Sequence, residues 1–411
     1  MKTKYLIIGN SAAAIGGVQG IREVDKRSKI VLVADEPYST YSRPLISYWL
    51  EGRVDREHMV YRNPDFYRQY GVDTLLGTKV TAIDPTRHIA TTDDGKEITY
   101  EELLIATGSH PFVPPIEGKD QAKNAFTFTT FDDAQGVKKA LTPDAKVVIM
   151  GGGLIGLKAA EALIDQVKSL TIVDLADRVM PSVLDSEVAQ VMQQHLEDLG
   201  MVLKLKTSIK RVGNMSVTLS DGSKLPYDIL IFAVGTRPNQ DLAEAAGIKC
   251  ERGILTDTAQ KTSADGIYAA GDCTQSHDIS ADVDRNIAIL PNAFMQGETA
   301  GINMAGGQAV FDKAFPVNSM GIKDFYLLTA GSTEGQPQIV NTPDGIRKFY
   351  IADDELKGYM ILGECQRAGI YTDLIRQKTK LSTVDWNSLA EAPKLMAFDV
   401  SVRKADLAQA H

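Results

Sequence analysis

Val147-Val-Ile-Met-Gly151-Gly-Gly153-Leu-Ile-Gly156 is the stretch on which the fold turns. A parallel strand buried on both faces reads as a continuous apolar run, and a glycine-rich exit lets the chain turn sharply into a helix. That turn aims the first helical N–H groups at an anion, with no side chains to crowd a pyrophosphate. Gly151, Gly153 and Gly156 fill the spacing G-x-G-x-x-G, with Leu154 and Ile155 opening a helix expected to run to about Val167. Leu170-Thr-Ile-Val173 then reads as a second strand. It ends in Asp174, 18 positions after the last glycine (174 − 156), close to the ~20 expected of an acid that bonds a ribose.

The same pattern opens the chain. Lys4-Tyr-Leu-Ile-Ile-Gly9-Asn-Ser11-Ala12-Ala-Ala14 leads into a helix to about Arg22 and then into Ile30-Val-Leu-Val33-Ala-Asp35. Ser11 and Ala14 stand at the second and third glycine positions, where small residues still permit close approach. Met1-Lys-Thr-Lys with the apolar run behind it imitates a secretory leader, but a first strand and turn use the same residues better, so no leader is expected. Two β-α-β units in a chain of 411 residues, at roughly 150 per domain, predict an α/β protein of two or three domains, two of them Rossmann-like with three layers.

Composition narrows the function. With 44 Lys+Arg against 53 Asp+Glu the net charge is −9, so no global basic field draws the chain to nucleic acid or anionic lipid. The longest apolar run, Val147 to Leu157, falls far short of the ~20 residues that span a bilayer. Cys250, Cys273 and Cys365 are scattered, which favours a reducing, cytoplasmic setting. They offer no closely spaced dithiol and too few thiols for an internal iron–sulfur cluster. The six histidines lack metal-ligand spacing, so no metal site is expected.

Two further segments complete the pattern: Leu103-Leu-Ile-Ala106-Thr107-Gly108, a strand running into a Thr-Gly turn, and Gly266-Ile-Tyr-Ala-Ala-Gly271-Asp272-Cys273, a strand ending in Gly-Asp. In this order the four motifs resemble the two-dinucleotide-fold pyridine-nucleotide flavoprotein oxidoreductases over about residues 1–380. Pro37-Tyr-Ser-Thr-Tyr-Ser-Arg43-Pro44-Leu-Ile-Ser47 is similar to the disulfide-free branch, that of rubredoxin reductases, ferredoxin reductases and the flavin part of nitrite reductase. The thiol-dependent branch carries a cysteine in this region, and this chain has none there.

The resemblance implies an FAD domain of residues 1–112 and 240–315, an inserted NAD domain of 113–239, a C-terminal α+β interface domain of 316–380, and a tail of 381–411. In the C-terminal domain Phe325 to Leu328, Arg347 to Ile351 and Gly358 to Leu362 read as antiparallel strands, followed by a helix from Ile370 to Lys378. The tail is less patterned and reads as either a partner contact or a frayed end. FAD is then expected on Gly9, Ser11, Ala12 and Ala14, with Asp35 or alternatively Glu36 on the adenosine ribose. Arg43, Pro44, Val80, Ala106, Thr107, Gly108 and Gly271 complete that site, Asp272 holds the ribitol, and Pro291, Asn292 and Ala293 open a helix aimed at the flavin. NAD is expected on Gly151, Gly153, Leu154, Ile155, Gly156, Asp174, Arg178, Val234 and Gly235. Asp174 favours NADH over NADPH, because a carboxylate repels a 2′-phosphate. Arg178 reads as the ion-pair partner of Asp177 or a pyrophosphate contact.

Around the flavin this chain departs from the family. Tyr48 stands where ferredoxin-reductase relatives carry Lys, and Lys158 where relatives often carry Glu. One position loses a cation and the other gains it, so Lys158 is expected to supply the cation near the reactive flavin edge, and Arg43 and Tyr48 are the other candidate catalytic residues. The expected activity is transfer of electrons from NADH, with FAD as cofactor, to a one-electron redox protein: rubredoxin, ferredoxin or an iron–sulfur subunit of a larger dehydrogenase. The reverse flow, reduction of NAD, is open. An NADH oxidase or CoA-disulfide reductase is the enzymatic alternative, and an NADH-sensing flavoprotein scaffold the alternative of another class. A homodimer or a hetero-complex subunit fits either.

Overall fold

The computed structural model describes residues 1–343 and 345–400, and the chain separates into two compact units. The first takes Met1–Ser182, Ala189–Ser276 and Arg285–Asp312; the second takes Val183–Val188, His277–Asp284 and the chain from Lys313 onward.

In the first unit the elements that position the site are, in chain order, β1 (Tyr5–Ile8), α1 (Ala12–Val24), β2 (Ile30–Ala34), α2 (Leu45–Glu51), β3 (Val72–Leu76), β4 (Glu102–Ile105) and β5 (Ser109–Pro111). There follow β6 (Ala125–Phe126), α3 (Phe131–Ala140), β7 (Lys146–Met150), α4 (Leu154–Leu163), β8 (Ser169–Val173), β9 (Val202–Lys204), β10 (Ile229–Phe232), β11 (Thr236–Pro238), β12 (Ile267–Ala269) and α5 (Leu290–Met304). They build two five-stranded parallel sheets, ordered β12-β4-β1-β2-β3 and β9-β8-β7-β10-β6. In each, the motif's first strand lies between its second and a later one: Tyr5 faces Ile30 and Glu102, and Val147 faces Leu170 and Ile229. β1 and β2 are buried at every residue, as an unbroken apolar run requires of a strand covered on both faces.

The repeat extends beyond the glycine turns. Between β3 and β4 lies a three-stranded antiparallel sheet, Val80–Asp84, Ile89–Thr92 and Glu97–Thr99; between β9 and β10 lies another, Ile209–Val212, Ser216–Leu219 and Lys224–Pro226. In the first copy this sheet packs Val80, Ile83, Ala90 and Ile98 against Leu6, Ile8, Val31 and Val33, while α1 and α5 cover the other face through Ile15, Val18, Ile21 and Ala300. That is the three-layer sandwich. The small residues of α1 now have a reason: a Cβ on Gly16 or Gly20 would meet the backbone of Phe294 or Glu298, and one on Gly297 or Gly301 would meet that of Ala13 or Gly17. α1 and α5 touch backbone to backbone.

The second unit holds β13 (Val317–Ile322), β14 (Phe325–Gly331), β15 (Gln336–Thr342), β16 (Gly345–Ala352), β17 (Glu355–Leu362), α6 (Gly369–Arg376) and α7 (Trp386–Glu391). The strands form one antiparallel sheet in the order β13-β14-β17-β16-β15. Sequence reading located three of the five. β15 carries Pro337 and no fully buried residue, the character of an edge strand, and β13, Val317-Asn-Ser-Met-Gly-Ile322, pairs without a break through Gly321 but has no apolar run. The tail is better ordered than its sequence implied: Trp386 packs edge-on against Phe349 at 5.1 Å and donates its indole N–H to Gln338 at 2.8 Å. Arg347 and Tyr371 donate to the carbonyls of Glu391 and Leu389. The remainder of the 381–411 tail, 401–411, lies outside the described residues.

Candidate functional site

The two glycine turns are built alike, contact by contact. Gly9 and Gly151 both take φ above +100°, a conformation glycine adopts without strain, and donate at 2.8 Å to the carbonyls of Val33 and Val173. A Cβ on either would collide with a backbone carbonyl, that of Ala106 or of Ala233. Ala106 and Ala233 in turn donate at 2.8 Å to Ile8 and Met150. Thus Ala106-Thr107-Gly108 and Ala233-Val234-Gly235 are one structural device used twice, an equivalence hidden in sequence by the change of Thr to Val. Gly156 completes the second turn, where a Cβ would strike the Gly151 carbonyl. Ser11 and Gly153 cap α1 and α4 in extended conformation with no side-chain cap bond, so both helix ends present main chain.

Beyond the turns stand the acids. Asp174 receives Gly152 N–H at 2.6 Å on one oxygen and Ala176 N–H at 2.8 Å on the other, which fixes the carboxylate at the mouth of the turn. Arg178 pairs with Asp177 at 2.8 Å. Asp35 is exposed and receives Glu36 N–H at 2.9 Å. Glu36 is occupied: it takes the Tyr41 hydroxyl at 2.6 Å and the Arg43 guanidinium, which also reaches the Thr129 carbonyl at 3.3 Å. Arg43 is thus held by Glu36, and its charge also acts on the Asp272 carboxyl. The Val80 side chain lies in the core, so only its main chain is available to a cofactor.

The return crossover is locked from both sides. Thr107 donates its hydroxyl to the Asn239 carbonyl at 2.8 Å, Asn239 returns an amide N–H to the Thr107 carbonyl at 2.7 Å, and β5 pairs antiparallel with β11. His110 meets Asn239 at 2.6 Å and has a structural partner. Asp272 follows β12; burial pushes its carboxyl up from the ordinary range, and the Ser109 hydroxyl donates to it at 3.3 Å. Gln296 of α5, which sequence reading passed over, accepts Gly271 N–H at 2.9 Å and donates to Thr274 and Ser276. Only its place one turn after Asn292 in the helix aimed at the site could have flagged it.

Lys158 and Tyr48 come together. The Lys158 ammonium lies 4.4 Å from the centre of the Tyr48 ring and forms an ion pair with Glu161, and the Arg53 guanidinium lies 4.7 Å from the same ring. Gln166, following α4, donates to the Leu50 carbonyl of α2 at 3.3 Å, tying the two helices. Glu161 was not singled out from sequence; its spacing of three from Lys158 on one helix was the available signal.

Cys250, Cys273 and Cys365 are all free. Cys273 is fully buried, points its thiol at the Ile105 and Ala270 carbonyls, and is pushed up by burial, the behaviour of a core thiol. Among the described residues no cluster of His, Cys, Asp or Glu could hold a metal ion, and no helix is long and apolar enough to cross a membrane.

Residues 3–297 match the model of the pyridine nucleotide-disulphide oxidoreductase family. The chain belongs to that family. Of its curated relatives, the epsilon subunit of NADH-dependent phenylglyoxylate dehydrogenase from Aromatoleum evansii is 30% identical over 393 residues, covering 92% of this chain and 93% of that subunit. An NADH oxidase from Methanocaldococcus jannaschii is 32% identical over 342 residues, 80% of this chain and 75% of the oxidase. The crystal structure of a covalent putidaredoxin reductase–putidaredoxin complex matches with a TM-score of 0.86 at 27% identity, over 95% of this chain and 96% of that one. This family member is an FAD-binding NAD(H) oxidoreductase with two dinucleotide folds and no redox cysteine pair.

The site fits FAD on its own terms. Asn292, 4% exposed in the first turn of α5, has a buried side-chain N–H with no protein partner, and the Asp272 carboxyl, met by the Ser109 hydroxyl, can bond a hydroxylated ligand. A buried polar group without a partner is costly, and a cofactor atom relieves it.

Proposed function

We propose that this flavoprotein takes electron pairs from NADH and passes them singly to a protein acceptor of the rubredoxin, ferredoxin or iron–sulfur-subunit class, in the reducing cytoplasm, and that it can run in reverse to reduce NAD. Residues 1–112 and 240–315 serve FAD, 113–239 serve NAD, and 316–380 form an interface domain. Bound FAD supplies the exchange between an electron pair and single electrons. The chain's own residues bind and orient. The turns Gly9–Ala14 and Gly151–Gly156 hold the two diphosphates, Asp272 and Asn292 hold the flavin half, Asp35 the adenosine, Asp174 the nicotinamide coenzyme's ribose, and Lys158 brings a positive charge to the reacting end.

One observation carries this reading: two dinucleotide turns built alike stand in one unit, and the cysteine beside them is a buried core thiol. The relatives support the protein acceptor, one being a subunit of a larger NADH-dependent dehydrogenase and another a reductase solved with its redox protein. The Arg43-Pro44 segment and the exposed Arg367 and Lys378 are the docking candidates, joined by Arg376, 3.9 Å from Asp373, and Lys380, which pairs with Glu355 at 2.9 Å. Positive groups on an acidic chain steer an acidic partner, so kcat/KM for rubredoxin or ferredoxin under NADH is expected to fall steeply as salt rises. The oxidase relative favours a second reading. If oxygen turns over faster than every protein acceptor, that reading replaces the first; negligible turnover with all acceptors would favour a sensing scaffold.

Coenzyme choice gives a second test. Asp174→Ala should narrow the preference for NADH over NADPH by about tenfold or more in kcat/KM, each tenfold being worth about 1.4 kcal/mol. Equal efficiency of the two coenzymes in the parent would assign the choice to Arg178 or Arg237 instead.

A further inference from the structure

Glu161 is a carboxylate where a helix facing a sheet normally carries an apolar residue. It is 2% exposed, on α4, the helix that opens on the complete G-x-G-x-x-G turn. Among the described residues one other carboxylate is as deep, Asp278, and that one is held by the backbone N–H and hydroxyl of Ser280 at 2.9 and 2.6 Å. Glu161 instead faces an ammonium, that of Lys158, whose side chain is 20% exposed. Removing one partner of so deep a pair strands a charge, so the two behave as a unit. The same Lys158 ammonium also rests 4.4 Å from the centre of the Tyr48 ring on α2.

We propose that Glu161 is a positioning residue for Lys158: it holds the ammonium against Tyr48 at the meeting of α2 and α4 and offsets its charge, so that the reacting flavin meets a compensated cation of fixed position. This rests on the reading that Lys158 stands at the reacting end of the site. The geometry fixes the signs. Glu161→Gln keeps the ammonium and removes its counter-charge, which favours the electron-rich, reduced flavin and raises its midpoint potential. Lys158→Met removes the cation and lowers the potential. The double variant removes both charges and returns the potential toward that of the parent, a non-additivity that two independent surface charges would not give.

The test is a spectroscopic potential titration of the FAD-loaded parent, the two single variants and the double variant, paired with lysine labelling read by mass spectrometry on flavin-free protein. Opposite shifts in the single variants with recovery in the double, and severalfold faster acylation of Lys158 in Glu161→Gln, support the proposal. A shift in Lys158→Met with none in Glu161→Gln overturns the role of Glu161 and leaves Lys158 in place. No shift in either single variant overturns both this proposal and the placing of Lys158 beside the flavin. Should Glu161→Gln fail to retain FAD, unchanged acylation of Lys158 in the flavin-free chain overturns the proposal by itself.

Discussion

A Gly297→Val chain should be recovered without flavin and should unfold roughly 5–10 °C below its parent, the shift that a loss of about 3 kcal/mol brings to a domain of this size. The reason is the helix pair α1 and α5. A Cβ at Gly297 would sit inside the backbone of Ala13, and no rotamer change relieves a clash with main chain. The helices must part. Ala13 also lies against Gly271, next to Asp272, so separation disturbs the Gly9–Ala14 turn and Asp272 together. Gly369→Ala, at a position with open space around it, is the control and should leave both flavin content and melting temperature unchanged. A flavin-loaded Gly297→Val chain with the parent's melting temperature would show that the close approach of α1 and α5 is not needed.

Asp272→Ala should weaken FAD binding by about 10- to 150-fold, the loss of one hydrogen bond to a charged group at about 1.5–3 kcal/mol. Its pH dependence has a definite sign. Burial raises the folded-state pKa of Asp272 above its unfolded value, so the folded chain binds the extra proton and stability falls as pH rises through that interval. Above that interval the flavin-free protein has lost this stability, so Asp272→Asn, which cannot ionise, should stabilise the flavin-free chain at high pH while weakening its hold on FAD. Equilibrium unfolding of flavin-free protein, set beside flavin-release measurements, checks both halves. Equal FAD affinity in parent and Asp272→Ala would remove Asp272 from the ribitol role.

Glycine spacing and unbroken apolar strands made both parallel sheets legible in the sequence, because in each case local steric need and burial point the same way. The full G-x-G-x-x-G of residues 151–156 and the acid at 174 are the strongest instance. Legibility failed where a residue's role depends on a distant partner. Gln296 and Asn239 are ordinary polar residues until the fold brings Gly271 and Thr107 within hydrogen-bond reach. The Arg43 guanidinium pairs with Glu36, seven residues back, a contact no periodicity announces. Tyr48 and Lys158, by contrast, were singled out by where they depart from the family, and they touch. Edge strand β15 stayed invisible because half-exposed polar strands lack the alternation that marks a buried face.

The central claim is that electrons from NADH reach an outside acceptor with FAD as the sole electron store on the chain and without a thiol pair. Anaerobic titration of the purified, FAD-loaded protein with NADH, followed by flavin absorbance, tests it most directly. About one equivalent of NADH per FAD should bleach the flavin completely, and full bleaching should also follow when the thiols are alkylated beforehand. A requirement for about two equivalents, or loss of bleaching on alkylation of a chain that stays folded and yellow, would contradict the claim.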